Sequence, residues 1–491
     1  MRLDELVAEL GGARVIGGDP GIEVADLAYD SRKVGPGTLF FCVPGERADG
    51  HDFGPQAVAD GAVALVVERE LEVAVPQVAV ADARAAMAPL AARFFGDPTA
   101  ELRVVGITGT NGKTTTAFLV REILEATGTS CGLLGTVKQV VGSQEEKAER
   151  TTPEAIDLQQ IFRRMLEAGN EACAMEVSSH ALTLHRADAI HFAAAVFTNL
   201  TQDHLDFHAD MEEYFEAKRL LFEMGPGVAI VNVDDEYGRR LATEFDCVTF
   251  SAEGGDADLT AEDVGFDAAG ASFKVRVGDE ERSVRTRLPG HFNVANALGA
   301  LAAALALGVA PDAAVAALAE APAPPGRFEP IDEGQGFAVL VDYAHTPDSL
   351  ENVLRAARRL TSGSLISVFG AGGDRDRDKR PKMGRAGAEL SDLAIVTSDN
   401  PRSEQPGAIV AEVLAGTEDA AGAVESEVDR RAAIALALGR ARPGDTVVIA
   451  GKGHEQGQEF EDGRKVPFDD REVAREELRK LDESGIGAPS R

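Results

Sequence analysis

The run Gly109-Thr110-Asn111-Gly112-Lys113-Thr114-Thr115 combines groups that suit one ligand, a phosphate. Glycines let backbone N–H groups close around the anion. The Lys113 ammonium can reach the outer phosphates, and the Thr114 hydroxyl can ligate magnesium. The β-branched stretch Val104–Thr108 leads into the loop and a helical pattern, Thr115–Ala126, leads out of it, so the motif sits where a helix N-terminus can face an anion. One position departs from the usual Gly-x-x-x-x-Gly-Lys-Ser/Thr spacing, because Thr108 stands where the first glycine is expected.

Two further clusters follow apolar runs. Glu176-Val177-Ser178-Ser179-His180 comes after Ala172–Met175, so Glu176 lies at the carboxyl end of a strand, where open α/β sheets place ligands. Thr198-Asn199-Leu200-Thr201-Gln202-Asp203-His204 ends a second such run. Magnesium prefers oxygen, so His204 beside Glu176 implies a site tuned by geometry. A polar loop with helix-capping aspartates is the competing reading. Lys218 shares a helix with Phe215, Leu221 and Phe222, where a lysine ordinarily snorkels or pairs with a carboxylate.

A third set lies beyond residue 328. Asp342–Pro347, Gly370–Arg377, Asp399–Arg402 and Gly451–Glu455 each follow a short apolar run. Asp342 can accept hydrogen bonds from ribose hydroxyls, and Arg402 offers a planar fork that suits a carboxylate. Four such loops at successive strand ends form the floor of a cleft, and their mixed charge fits a zwitterionic ligand.

The elements that must position these groups alternate between strand and helix. Residues 1–99 read as a small α/β unit with strands Thr38–Val43 and Ala62–Val67, closed by a linker at Asp97-Pro98-Thr99. Strands Val104–Thr108, Ala172–Val177, Ala193–Thr198 and Val228–Val233, with helices Thr115–Ala126, Ala155–Ala168 and Met211–Met224, predict a parallel sheet. Ala295–Ala310 reads as a packed alanine-rich helix, and Pro322–Gly326 marks a second boundary. Ala338–Val341, Leu365–Phe369, Leu393–Thr397 and Thr446–Ala450 predict a further nucleotide-fold-like sheet, and the tail after Asp482 is expected to fray. The predicted domains are 1–99, 100–327 and 328–491.

At 491 residues the chain is long for one core. A net charge of -33 with no basic tract argues against nucleic acid and anionic membranes as partners. The cations in Arg375–Arg380 and around Lys113 are expected to serve the nucleotide. No run reaches the ~18 apolar residues of a membrane span, and the N-terminus lacks a signal-peptide core. The four cysteines are well separated and read as free thiols in a reducing compartment, which suggests a cytoplasmic protein.

Taken in order, Asp30-Ser31-Arg32, Gly109–Thr116, Thr151-Thr152-Pro153-Glu154, Glu176–His180, Asn199–His208 with Lys218, His291–Asn296, Gly326–Glu329, Asp342–Pro347, Asp399–Arg402 and Gly451–Glu455 closely resemble the Mur ligases. These are ATP-dependent amide-bond ligases of the peptidoglycan stem peptide, and the altered glycine pattern at the phosphate loop is also theirs. The resemblance covers nearly the whole chain and implies a three-domain α/β architecture. A central P-loop ATPase-like sheet would be followed by a C-terminal Rossmann-like domain that binds no dinucleotide.

It further implies a branch that extends UDP-N-acetylmuramoyl-L-alanyl-D-glutamate with meso-diaminopimelate, or alternatively with L-lysine, through an acyl phosphate. A P-loop hydrolase or kinase, or a non-enzymatic nucleotide-binding scaffold, are the competing classes. By resemblance Lys113, Glu176, His204 and Lys218 are catalytic. Lys218 would be carbamylated by CO2 and would hold magnesium with Thr114, Glu176 and His204. Gly109, Thr110, Asn111, Gly112, Lys113, Thr114, Thr115, Asn293, Asn296, Arg327, Asp342 and His345 would bind ATP, with Arg327 reaching phosphate only on closure. Ser31, the Gly45–Phe53 loop, Thr151, Thr152, Ser178 and Arg186 would hold the UDP-muramoyl dipeptide. Arg375, Asp399, Asn400, Pro401, Arg402, Gly451 and Glu455 would receive diaminopimelate. The implied enzyme is a monomer without stable membrane association.

Overall fold

The computed structural model describes residues 1–45, 48–148, 150–267, 270–418, 420 and 422–483. Part of the Gly45–Phe53 loop, and the expected fraying tail beyond Glu483, therefore lie outside the described residues. The chain divides into two compact units. The first holds Met1–Thr108, Gly128–Ala195 and Ala217–Val228; the second holds Gly109–Thr127, Val196–Glu216 and Ala229–Arg491.

In the first unit, five strands run in the order Arg14–Ile16, Gln77–Ala79, Ala62–Val67, Thr38–Phe41, Asp26–Ala28. The last four pair in parallel and the first is antiparallel to its neighbour. Strand alternation explains why the inner strands are continuously apolar. Leu39, Phe41, Ala64 and Val66 enter one core with the helix Met87–Phe94, while Phe40, Leu65 and Val67 enter another on the opposite face.

The same unit contains Arg103–Thr108, Ala172–Glu176 and Cys131–Leu134 as parallel neighbours, with Glu176 opposite Ile107. A hairpin, Lys138–Val141 with Gln144–Lys147, continues antiparallel from Cys131–Leu134. The helix Ala155–Glu167 buries Ile156, Leu158, Ile161, Phe162 and Met165 at helical spacing.

In the second unit, the helix Lys113–Ala126 packs on His291–Ala306. That second helix is apolar nearly all round and buried along most of its length, as its composition predicts. Val228–Asn232 pairs in parallel with Cys247–Ser251, which pairs with Leu259–Asp267. Leu259–Asp267, Gly270–Val277 and Glu280–Thr286 form an antiparallel meander that was not among the expected elements.

A separate six-stranded sheet takes the order Glu329–Pro330, Ala338–Asp342, Thr446–Ala450, Leu365–Phe369, Leu393–Val396, Ala423–Ser426, parallel except for the first pair. Asp342 lies opposite Ala450, Val368 opposite Ile449 and Phe369 opposite Val396. This register sends the four polar loops predicted beyond residue 328 out along one edge. No described helix is long and apolar enough to cross a membrane.

Candidate active site

The phosphate loop is held by its own backbone and by the segment after Phe197. Gly112 precedes the helix at φ 90°, a conformation that favours glycine, and a Cβ there would collide with the Asn296 side-chain oxygen. Lys113 Nζ donates to the carbonyls of Gly109 at 2.9 Å and Thr110 at 2.8 Å, so the ammonium spans the loop. Thr110 N donates to Asn199 O, and Asn111 N donates to Asn199 Oδ1. The Thr110 hydroxyl also meets the buried Tyr214 hydroxyl at 3.2 Å. Thr115 is buried in the first turn of the helix.

Arg327 Nη2 donates to Thr114 Oγ1 at 2.9 Å, and its guanidinium lies 4.6 Å from the Tyr343 ring. The resemblance implied that Arg327 reaches phosphate only on closure; the contact seen here is to the Thr114 hydroxyl. Asn111 Nδ2 similarly donates to Asp348 Oδ2 at 2.8 Å, at the start of the helix Pro347–Leu360. Asn293 and Asn296 are buried and joined, Asn296 Nδ2 to Asn293 Oδ1 at 3.0 Å.

Asp342 accepts Phe328 N at 2.7 Å and Ala344 N at 2.8 Å, one on each oxygen. Burial pushes its carboxyl up, against the opposing charge of Arg327. Asp203 shows the reverse balance. Burial would raise it, but the Lys379 ammonium at 3.3 Å, with His204 and His345 beyond, holds it far below the ordinary carboxylate range. His345 itself is lowered, first by burial and then by Lys379, and its Nδ1 meets Tyr343 O at 2.8 Å. His204 sits beside Asp203 at φ 58°, packed edge-on against Tyr214.

In the first unit, the buried Glu176 carboxylate accepts Thr136 N at 2.8 Å and Thr136 Oγ1 at 3.1 Å. Gly135 permits this approach, since a Cβ there would overlap Glu176 Oε1. Thr151 Oγ1 meets Thr136 Oγ1, and Thr152 Oγ1 donates to Glu176 O and accepts Ser178 N. Arg186 pairs with Glu154 at 2.9 Å, and burial lowers its pKa despite that partner. Lys218 is 1% exposed on the helix Met211–Glu223. Ser31 opens the short turn Ser31–Lys33, capped by Asp30.

At the edge of the six-stranded sheet, Asn400 Nδ2 donates to Glu455 Oε2 at 2.8 Å. The fully buried Lys452 donates to Asn400 Oδ1 and Glu455 Oε2, each at 2.9 Å. Arg402 has φ 50°; its Nη1 donates to Gly373 O at 2.7 Å and its Nε lies 3.4 Å from Glu459. Beneath these loops the Arg430–Asp470 pair is fully buried at 2.6 Å. Arg430 also donates to Ala450 O and Ser398 O, fastening the strand ends that precede Gly451 and Asp399.

Family models match three stretches: "Mur ligase family, catalytic domain" over 23–95, "Mur ligase middle domain" over 107–304 and "Mur ligase, glutamate ligase domain" over 326–453. A curated protein of Streptomyces coelicolor named UDP-N-acetylmuramoyl-L-alanyl-D-glutamate--2,6-diaminopimelate ligase is 49% identical, covering 97% of this chain and 96% of its own. One of the same name from Geobacillus kaustophilus is 47% identical over 97% and 99%. The chain belongs to the Mur ligase family.

A solved ligase of the same name is 32% identical, with TM-score 0.70, covering 98% of this chain and 99% of that one. The MurF ligase of Thermotoga maritima, solved with ADP, is 20% identical at TM-score 0.65 and shares the fold, over 94% of this chain and 98% of that one. The architecture is accordingly the three-domain α/β arrangement of Mur ligases.

One expectation for this Mur ligase needs correction. The cations of Arg375–Arg380 were expected to serve the nucleotide, yet Arg377 and Arg380 pair with Glu404 and Glu412, and Lys379 pairs with Asp203. Arg375 remains half exposed, 3.7 Å from Asp206. Sequence reasoning also passed over Thr136, Tyr214, Asp348 and Lys452. Lys452 had a signal, since it lies within Gly451–Glu455; Asp348 had none, because its partner is 237 residues away.

Among the described residues, no three His, Cys, Asp or Glu side chains group as a metal site.

Proposed function

We propose that this Mur ligase joins meso-2,6-diaminopimelate to the D-glutamate γ-carboxylate of UDP-N-acetylmuramoyl-L-alanyl-D-glutamate, releasing ADP and phosphate during peptidoglycan precursor synthesis. The observation that carries this reading is the Arg327–Thr114 contact, which brings the segment before the six-stranded sheet onto the phosphate loop. ATP dependence is a property of the family, and the diaminopimelate assignment follows the name carried by its full-length relatives. The lysine-adding alternative is not favoured.

A carboxylate is a poor electrophile, so its γ-oxygen first attacks the ATP γ-phosphorus and ADP leaves. The amine then attacks the acyl carbon, and the tetrahedral intermediate expels phosphate as the amide forms. Lys113 would neutralise the transferring phosphoryl group, and Arg327 would add a second cation at the same loop. Magnesium, when bound, would supply Lewis-acid charge neutralisation, held by Thr114, Glu176, His204 and the carbamate of Lys218. The donor chemistry fits: Glu176 is already oriented by Thr136, and Lys218 is buried. Carbamylation converts a cation into two hard oxygen ligands.

Gly109–Thr115, Asn293, Asn296, Asp342 and His345 would complete the ATP site. Ser31, Thr151, Thr152, Ser178 and Arg186 would hold the UDP-linked dipeptide. Arg375, Asp399, Asn400, Pro401, Arg402, Gly451 and Glu455 would receive the amino acid. The domains would divide as 1–99, 100–327 and 328–491, in a monomer working in the cytoplasm without stable membrane association.

Incubation with ATP, the UDP-linked dipeptide and each amino acid tests the reaction. Phosphate release that requires diaminopimelate, with a product heavier by that residue, is expected. Amino-acid-independent turnover to a stable phosphorylated product would indicate a kinase, and no turnover at all a nucleotide-binding scaffold.

A further inference from the structure

Arg402 is the fork expected to read the distal carboxylate of the amino acid, yet its own placement depends on the loop Gly370–Asp378. Its Nη1 donates to Gly373 O at 2.7 Å, and Gly373 N donates back to Asn400 O at 2.8 Å. The loop is fixed from below by a guanidinium that touches none of the predicted substrate-binding side chains. Arg380 is fully buried; its Nη2 donates to Gly372 O at 3.1 Å and Glu404 Oε1 at 2.6 Å, and its Nη1 to Glu404 Oε2 at 3.0 Å and Glu412 Oε2 at 2.7 Å.

Glu404 holds the loop a second time, accepting Asp374 N at 2.7 Å. Asp374 in turn accepts Ser403 N and Oγ, closing a ring of bonds between the two loops. Two members of this lattice, Asp374 at φ 51° and Arg402 at φ 50°, occupy the left-handed region that non-glycine residues rarely adopt. Such backbone persists only where its surroundings over-determine it.

We propose that Arg380 and Glu404 are positioning residues for acceptor selection: together they set the Gly372-Gly373 carbonyls that aim the Arg402 fork. The proposal rests on the diaminopimelate reading above and extends it to residues below the pocket. A fork displaced by about 1 Å loses much of its discrimination, because bidentate recognition depends on the planes of donor and acceptor. In Glu404→Gln the carboxamide can keep one accepting oxygen for Arg380 Nη2 and Asp374 N. Its NH2 then faces the N–H groups of Arg380 Nη1 and Arg377 Nη2, donor against donor. Arg380→Lys keeps a charge but cannot span Gly372 O and both carboxylates with one ammonium.

The test measures KM for diaminopimelate, lysine, ATP and the UDP-linked dipeptide on wild type, Glu404→Gln and Arg380→Lys, with thermal unfolding alongside. The expected result is a diaminopimelate KM raised about 10-fold or more in both variants, a reduced diaminopimelate-to-lysine ratio, and KM values for ATP and the dipeptide within about twofold of wild type. An unchanged acceptor ratio in a folded Glu404→Gln overturns the proposal. A parallel rise in every KM, with a lowered melting temperature, also overturns it by showing a merely structural role. Should Arg380→Lys fail to fold, Glu404→Gln decides alone. Failure of the wild type to ligate diaminopimelate would instead sink the functional reading, so the two failures are distinct.

Discussion

Arg327 and Thr114 are 213 residues apart and joined by a 2.9 Å hydrogen bond from guanidinium to hydroxyl. The bond ties the segment before the six-stranded sheet to the first turn of the phosphate-loop helix. A group in that position touches the phosphate-loop helix and leads directly into the six-stranded sheet.

Arg327→Ala should therefore lower kcat by about 10²-fold, the scale of losing one preorganised charge-stabilising donor. Steady-state kinetics at saturating ATP checks this. An unchanged kcat would mean that the contact to Thr114 only braces the segment before the six-stranded sheet.

Replacing Lys218 by Ala should nearly abolish turnover, and a small added carboxylate should restore part of it by refilling the proposed metal site. A second readout avoids dependence on activity. Wild type equilibrated with 13C-labelled CO2 should show a carbamate carbon signal that Lys218→Ala lacks. A signal equally strong in the variant would remove Lys218 from the proposed metal set.

For Arg402→Ala, side-by-side assays with meso-diaminopimelate and L-lysine should show the wild-type preference, ~10²-fold or more, largely lost. The loss reflects an unpaired distal carboxylate and the removal of a cation that repels lysine's ammonium. A wild-type preference for lysine, or an unchanged ratio in the variant, would refute the specificity assignment.

Glu404 predicts a pH effect. Its hydrogen bond from Arg380, outweighing burial, lowers its pKa from 4.5 to about 2. A carboxylate depressed on folding contributes stability that is full above its unfolded pKa and is lost as pH falls through the folded one. Acid unfolding monitored between about pH 4.5 and 2 should accordingly be less steep in Glu404→Gln than in wild type. Identical acid profiles would show that Glu404 carries no linkage.

The strand-end loops were legible because the parallel strands are buried on both faces and read as apolar runs that stop abruptly at polar motifs. Ala338–Asp342 and Leu365–Phe369 are examples. The meander over 259–286 carried a signal that went unread: Ala271, Phe273 and Val275 alternate with Ser272, Lys274 and Arg276, the pattern of a half-buried strand. Charge was the other blind spot. Arg380 and Lys379 look like nearby cations for a nucleotide, but their partners lie 24 to 176 residues away and only folding reveals them. Asp342 illustrates the same limit: its position was legible, whereas its hold on the Phe328 and Ala344 amides was not.

The buried Arg430–Asp470 pair has a consequence for biogenesis. Arg430 steadies the carbonyls of Ser398 and Ala450, yet its charge is neutralised by a residue 40 positions later. Until the helix Asp470–Glu483 has docked, Arg430 lacks its bidentate carboxylate partner, and the strand-end carbonyls it steadies are held less firmly. During synthesis, the loops that follow Ser398 and Ala450 therefore stay unfastened until that helix has been made and has docked. A nascent chain stalled before Asp470 would hold those two loops without the ion pair that fixes them.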